Sequence, residues 1–436
     1  MQQPTRNAAP PPSYWRDVTA PGPDCPPLAG DVVADVAIVG AGFTGLSTAL
    51  HLRERGARVV VVEAVEPGHG ASGRNNGQVI PTLTRLEPDD LVARYGAAGD
   101  RFADLVRDCA ALLFDLTRRH AIAAEAEQTG WIQPAHSPGR LKISEKRVRQ
   151  WGARGAPVEL LSRDDVARMT GSPIWSGGFW NRSGGHVNPL ALARGLACAA
   201  LAAGAAIHSR TPAMRIAREA GKWRVETPGG ALRADGLLLA TNAYSSEFAS
   251  ALAPDIAREV VPVLSWQMAT TPLGDNVRRA ILPGRQAVSD THGDLYFMRW
   301  DARGALISGG ALVVPANGAA RLRARIGARL RRVFPQLGDV EFSHVWNGYI
   351  GMTDDYGPRL HRLGPNGYAW VGCNGRGVGL AAALGREFAA ALSGEDESRL
   401  ALPFSAVRPL PLHGLVRRVA PLMLLDYRRR DAREIA

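Results

Sequence analysis

Val32-Val33-Ala34-Asp35-Val36-Ala37-Ile38-Val39 runs directly into Gly40-Ala41-Gly42-Phe43-Thr44-Gly45, and residues 46–55 then lead to Val59-Val60-Val61-Val62-Glu63. The first run is apolar and largely β-branched, as in a strand buried on both faces. Residues 46–55 carry helical periodicity, and Gly56 is placed to end that helix. The second valine run is another strand, and it closes on an acid. Gly40 permits a tight turn, Gly42 lets a pyrophosphate approach the backbone, and Gly45 lets helix and strand pack closely. The helix N-terminus, with Phe43 and Thr44, offers free N–H groups to phosphate. Glu63, followed by Ala64, lies 18 residues beyond Gly45, where a carboxylate can accept from a ribose diol. Strand, turn, helix, strand and acid in order go beyond what a plain tight turn requires. They predict a dinucleotide site, and the acid disfavours a 2′-phosphate.

Three other stretches extend the pattern. Ser72-Gly73-Arg74-Asn75-Asn76-Gly77-Gln78 is a glycine- and amide-rich loop just after the second strand. It reads either as surface loop or as a second cofactor contact, offering many backbone N–H groups to a pyrophosphate or ring edge. Leu237-Leu238-Leu239-Ala240 is a buried strand whose small polar continuation, Thr241-Asn242-Ala243-Tyr244, suits the carboxyl edge of a parallel sheet. Finally 368–371 reads as a strand, and Gly375-Arg376-Gly377-Val378-Gly379 opens a helix that runs to 391. A second positive helix end is thereby available.

Between these, residues 89–119 read as helical, 260–271, 294–300 and 305–310 as strands of a second sheet, and 318–334 as a basic amphipathic helix. Residues 1–30 hold eight prolines and are expected to form an extended arm, with Ser13-Tyr14-Trp15 as an anchor. His186 precedes a helix start at a turn and is read as structural.

Hydrophobic residues make up 46% of the 436 and charged residues 21%, an ordinary globular composition. The net charge of +11 comes from scattered arginines, so a nucleic-acid surface is not expected. Cys25, Cys109, Cys198 and Cys373 have neither CxxC nor metal-like spacing, which suits a reducing compartment and no metal. No apolar run of ~18 residues occurs, and no leader pattern opens the chain, so a cytoplasmic location without a transmembrane segment is expected.

Taken together, the four glycine-bearing and polar stretches resemble the D-amino-acid oxidase family of flavoproteins, in its gamma-glutamylputrescine oxidoreductase-like branch. The resemblance implies an α/β fold: a Rossmann-like FAD-binding domain (31–88, 186–245, 346–400) interleaved with an α+β substrate domain built on a mixed or antiparallel sheet (89–185, 246–345), then a tail (401–436) packing as a closing helix. It implies non-covalent FAD, because the positions matching the covalent attachment sites of relatives are Gly348 and Arg74. The implied chemistry is hydride transfer from the carbon beside a neutral amine nitrogen to flavin N5, followed by imine hydrolysis. The helix end at Gly375–Gly379 would face the flavin N1–C2=O edge. Tyr296, Arg299, Tyr349 and Arg376 are the substrate candidates. Ile350 stands where amino-acid-specific members have a carboxylate-binding arginine, and residues 305–310 lack the lysine that sarcosine-oxidase-like members use with oxygen. The acceptor is therefore oxygen or a quinone-type carrier. A tRNA-modifying flavoprotein and a flavin-binding protein without turnover are the competing readings.

Overall fold

The computed structural model describes residues 12–245, 247 and 252–435. Val32–Val39 is central in an eight-stranded sheet, between Val59–Val62 and Gly230–Leu239, with all three parallel. Val59–Val62 pairs onward with parallel Ala206–His208. On the other side Gly230–Leu239 pairs with parallel Gly367–Val371, whose free edge takes antiparallel Arg359–Gly364. A hairpin of Arg215–Glu219 and Lys222–Thr227 joins the first half of Gly230–Leu239.

The alternation along Val32–Val39 explains its place. Val36 and Ile38 point into a core with Leu46, Ala49 and Leu50 of the helix Phe43–Glu54, while Ala37 and Val39 point to the opposite face with Trp223 and Leu237. Both faces are covered, so the strand reads as a continuous apolar run. Gly40 has φ +105°, and a Cβ at Gly45 would lie 2.0 Å from the Gly40 carbonyl oxygen. No larger residue fits at Gly45 without separating helix from strand.

A second eight-stranded sheet has the order Phe342–Met352, Val261–Thr270, Leu306–Gly310, Phe297–Trp300, Ala287–Ser289, Trp131–Pro134, Gly178–Asn181, Val158–Leu161. It is antiparallel except where Ala287–Ser289 meets Trp131–Pro134. The helix Gly318–Val333 lays Leu322, Ile326, Leu330 and Val333 against it, with its arginines other than the buried Arg329 spread over the rest of its surface. The chain enters the first sheet three times and the second twice, so the two are interleaved.

Four expectations are corrected. The 89–119 helix is two helices, Pro88–Tyr95 and Ala97–Arg119, because Gly96 adopts φ +57° and breaks the run. The arm is not wholly extended: Ser13 caps the short helix Tyr14–Val18, which buries Tyr14 and Trp15. Residues 1–11, with Pro10-Pro11, lie outside the described residues. The boundary drawn at 345/346 falls inside Phe342–Met352, which belongs to the second sheet throughout its pairing with Val261–Thr270. The strand read at 237–240 begins at Gly230, since its first half pairs with the hairpin as well as with Val32–Val39.

Candidate active site

A cavity of about 1540 Å3 opens between the two sheets. Its floor is the carboxyl edge of the parallel sheet. Gly40, Gly42, Phe43 and Thr44 line it, as do Glu63 and Ala64 from the second strand and Thr241 and Asn242 beyond Gly230–Leu239. These positions follow from topology: three parallel strands all end on one side.

The helix Phe43–Glu54 has Gly42 at its N-cap and no side-chain cap, so its first-turn N–H groups face the cavity. The Phe43 N–H donates to Ser72 Oγ at 3.0 Å, which ties the amide-rich loop to this helix end. Glu63 accepts from the Ala41 N–H at 2.8 Å and the Val65 N–H at 3.0 Å. Burial raises its pKa, and the backbone donors work against that shift. Each carboxylate oxygen keeps a lone pair for a further donor. An uncapped positive helix end beside a fixed carboxylate fits the pyrophosphate and ribose of a dinucleotide.

Ser72, Arg74, Asn75, Asn76 and Gln78 also line the cavity. Asn75 Oδ1 accepts from the Gly77 N–H at 2.7 Å and Asn76 Oδ1 from the Gln78 N–H at 2.9 Å, so the loop is built on its own amides. Gly73 and Gly77 serve the backbone instead of the cavity wall. A Cβ at Gly73 would lie 2.3 Å from the Gly68 oxygen, and one at Gly77 would lie 2.0 Å from the Val187 oxygen. Across the cavity, Gly375, Arg376, Gly377 and Val378 form a second uncapped helix start, that of Gly377–Leu392. Gly379 faces away: a Cβ there would lie 3.0 Å from Cys109 Sγ of the long helix Ala97–Arg119.

The substrate candidates separate into two groups. Tyr349 and Arg376 line the cavity; Tyr296 and Arg299 do not. Tyr296 stacks on His292 at 4.0 Å, with the Arg329 guanidinium 3.8 Å from its other face. Arg299 is buried and committed to backbone: Nε donates to the Asn76 carbonyl at 2.6 Å, Nη1 to Trp300 at 3.0 Å and Nη2 to Val187 at 2.8 Å. Its guanidinium also lies 4.9 Å from the Trp15 ring, and burial pulls its pKa down to about 10. Arg299 therefore clamps the amide loop and does not reach a substrate.

Arg376 differs. It is 9% exposed, donates to the Thr82 hydroxyl and lies 4.7 Å over the Trp131 ring. Among the described residues no carboxylate pairs with it. Burial, and then the charge of Arg147, push its pKa well down. Arg147 itself is satisfied, by Glu87 at 2.7 Å, Gln133 at 2.5 Å and two backbone carbonyls.

Tyr244 closes the stretch read as the carboxyl edge of the sheet, while His292, Gln133, Ser289 and Tyr427 escaped the sequence reading. Tyr244 makes an edge contact with Tyr349 at 5.6 Å, and its hydroxyl oxygen accepts the Tyr349 N–H at 3.2 Å. Its pKa is pushed up to about 12 by burial, so it remains a proton donor. His292 is oriented by Asp290 at 2.5 Å. Gln133, Ser289 and Tyr427 come from three separate segments, and no local motif marks them. His186 is away from the cavity: Nε2–H donates to the Arg285 carbonyl at 2.9 Å and burial keeps the ring neutral, a structural role. Gly348 and Arg74 meet at the wall, with a Cβ at Gly348 falling 3.3 Å from the Arg74 Cβ.

A parallel sheet with a glycine turn, a helix N-terminus and an acid, capped by a second antiparallel sheet over a large cavity, defines a dinucleotide-binding oxidoreductase class. Residues 35–391 match the family model described as DAO, FAD dependent oxidoreductase. The chain belongs to that family. It is 31% identical over 385 residues to a probable oxidoreductase OrdL of Rhizobium meliloti, covering 87% of this chain and 88% of that protein. It is 30% identical over 368 residues to gamma-glutamylputrescine oxidoreductase of Escherichia coli, covering 84% and 85%. Its fold is similar to that of glycine oxidase from Geobacillus kaustophilus, with TM-score 0.72 and 20% identity over 87% of this chain and all of that one. FAD is thus the dinucleotide that the cradle fits, and the protein is an FAD-dependent oxidoreductase. No helix among the described residues is long and apolar enough to cross a membrane.

Proposed function

We propose that this protein oxidises the carbon beside the nitrogen of a small amine or amino acid that carries a carboxylate, and that Arg376 holds that carboxylate. The observation that carries this is a buried guanidinium on the cavity wall with a hydroxyl and an aromatic face for company and no counter-ion among the described residues. An uncompensated buried cation is costly unless an anion joins it. Bound FAD supplies the two-electron acceptance. The chain supplies position: Tyr244 and Tyr349 form an aromatic wall, and Ile350 and Met352 keep it apolar. An apolar wall favours a neutral amine over an ammonium. Aligning the donor carbon is a large part of the acceleration such a site can provide.

Relatives named for a gamma-glutamyl amine and for glycine support a substrate with both nitrogen and carboxylate. Ile350 in the cavity wall favours a remote carboxylate over a simple α-amino acid. Phosphate-edge binding is assigned to Gly40, Gly42, Phe43 and Thr44, ribose binding to Glu63, and ring-edge contacts to the amide loop, Thr241, Asn242 and 375–378. FAD is held without a covalent bond, in a cytoplasmic enzyme. The test is anaerobic reduction of the holoprotein with a panel of amines matched in length, with and without a terminal carboxylate. Bleaching by carboxylated members at lower concentration is expected; bleaching by neither set overturns the proposal. Reoxidation of the bleached protein by oxygen and by a soluble quinone then separates oxidase from dehydrogenase. Slow reaction with oxygen is expected, because Leu306–Gly310 carries no lysine.

A further inference from the structure

The tail makes one helical run, His413–Val419, a 3-10 turn Ala420–Leu422 and Met423–Ile435. Its two faces do different things. Val416, Ala420, Leu424, Tyr427 and Asp431 recur at helical spacing and line the cavity. On the opposite side Leu412 is 76% exposed, Leu415 55% and Leu422 52%, with Val419 and Leu425 also exposed; Met423, at the cavity rim, is exposed as well. Elsewhere among the described residues exposed large apolar side chains stand singly, which needs no explanation; six in 14 residues does. Leu415, Val419 and Leu422 are spaced four and three apart, one stripe of the helical run, and Leu412 stands at its N-cap.

The stripe is bordered by positive charge. Of the five arginines in 412–430, Arg417 and Arg430 line the cavity and Arg428 pairs with Asp294, which leaves Arg418 and Arg429 beside the stripe. Arg418 and Arg429 are exposed and make no ion pair among the described residues. Apolar side chains flanked by arginines, on a surface helical run too charged to span a bilayer, are the pattern of a segment that lies in an interface. Charge selects the partner. A second copy docked face to face would bring two arginine-bordered faces together. An anionic bilayer complements them, and each arginine near such a surface adds attraction.

We propose that the outer face of the tail docks the protein on an anionic lipid surface, with its inner face walling the cavity just behind the contact. The proposal is independent of substrate chemistry. FAD-loaded protein is sedimented with vesicles of phosphatidylcholine alone and of phosphatidylcholine with phosphatidylglycerol in equal parts. Binding to the anionic vesicles only is expected, falling at least tenfold in Leu415→Glu/Leu422→Glu and in Arg418→Glu/Arg429→Glu. Both variants are expected to keep their flavin absorbance and their rate of anaerobic reduction, since these side chains point away from the cavity. No sedimentation with either vesicle overturns the proposal. So does a concentration-dependent dimer by light scattering that the leucine variant abolishes while vesicle binding is absent. Equal binding by wild type and both variants also overturns it, because the contact would then lie elsewhere.

Discussion

A Cβ at Gly42 would already lie 2.9 Å from Ser72 Oγ, and the larger Val would also fill the space in front of the helix N-terminus. Gly42→Val is expected to purify with little flavin, read as the ratio of absorbance at the flavin band to that of protein. Glu63→Gln keeps an acceptor but loses the charge, so FAD affinity should fall roughly 10- to 150-fold, the equivalent of ~1.5–3 kcal/mol. The two arginines give opposite expectations. Arg376→Ala should weaken binding of carboxylated amines by a similar roughly 10- to 150-fold and leave uncarboxylated ones nearly unchanged in anaerobic titration. Arg299→Ala strands three backbone carbonyls, a loss of at least about 3 kcal/mol in stability, without changing that preference. A shift of preference in Arg299→Ala and none in Arg376→Ala would reverse the assignment.

Among the elements, the closing helix Met423–Ile435 is held by groups that no local pattern reveals. The Asp431 carboxylate accepts the Gly293 N–H at 2.9 Å and the Asp294 N–H at 3.2 Å, while Arg428 Nε donates to Asp294 at 3.0 Å. Glu434 bonds His136 at 3.1 Å and Arg140 at 2.6 Å, and Tyr427 meets Tyr356 at 2.5 Å. Asp431→Ala leaves two N–H groups unsatisfied, about 1–3 kcal/mol of local stability. Hydrogen exchange across residues 423–435 should quicken by roughly 5- to 150-fold, with the global midpoint little changed. Protection equal to wild type would show that Asp431 does not hold the helix.

For the whole molecule, buried histidines set an acid limit. Burial lowers the pKa of His51, His136 and His186, and that of His69 to about 4. Unfolded, each would titrate near 6.5. Below that pH the unfolded chain binds more protons than the folded one, so stability falls as pH falls towards the folded values. For His69 alone the loss between pH 8 and pH 5 is about 2 kcal/mol. Glu63 and Glu247, whose pKa values burial raises, act in the opposite direction at the acid end of the range. The thermal midpoint of FAD-saturated protein is expected to drop steadily from pH 7 to pH 5, and a flat profile would contradict the neutral-histidine assignment. Acid precipitation should release all the flavin to the supernatant; a yellow pellet would mean a covalent bond, with His69 and Cys373 both on the cavity wall.

The first motif, the second glycine helix start, the core parallel strands and part of the second sheet were legible in the sequence, because each is local: turn, cap and periodicity act within a few residues of one another; Trp131–Pro134, Gly178–Asn181, Ala287–Ser289 and Phe342–Met352 were not read as strands. So was the structural place of His186, a turn histidine. The helix break at Gly96 was not, since periodicity continued across it and only the backbone φ reveals the kink. Nor could spacing distinguish Arg299 from Arg376, two arginines in equally suggestive segments. One found the carbonyls of Asn76 and Val187 from distant segments and that of its neighbour Trp300, and the other found a cavity and no carboxylate among the described residues. The sequence by itself determined the nucleotide cradle, because its chemistry resides in contiguous backbone. Only the tertiary structure decided which side chains face the substrate and which face of the tail meets solvent. Those depend on what the rest of the chain leaves unpaired.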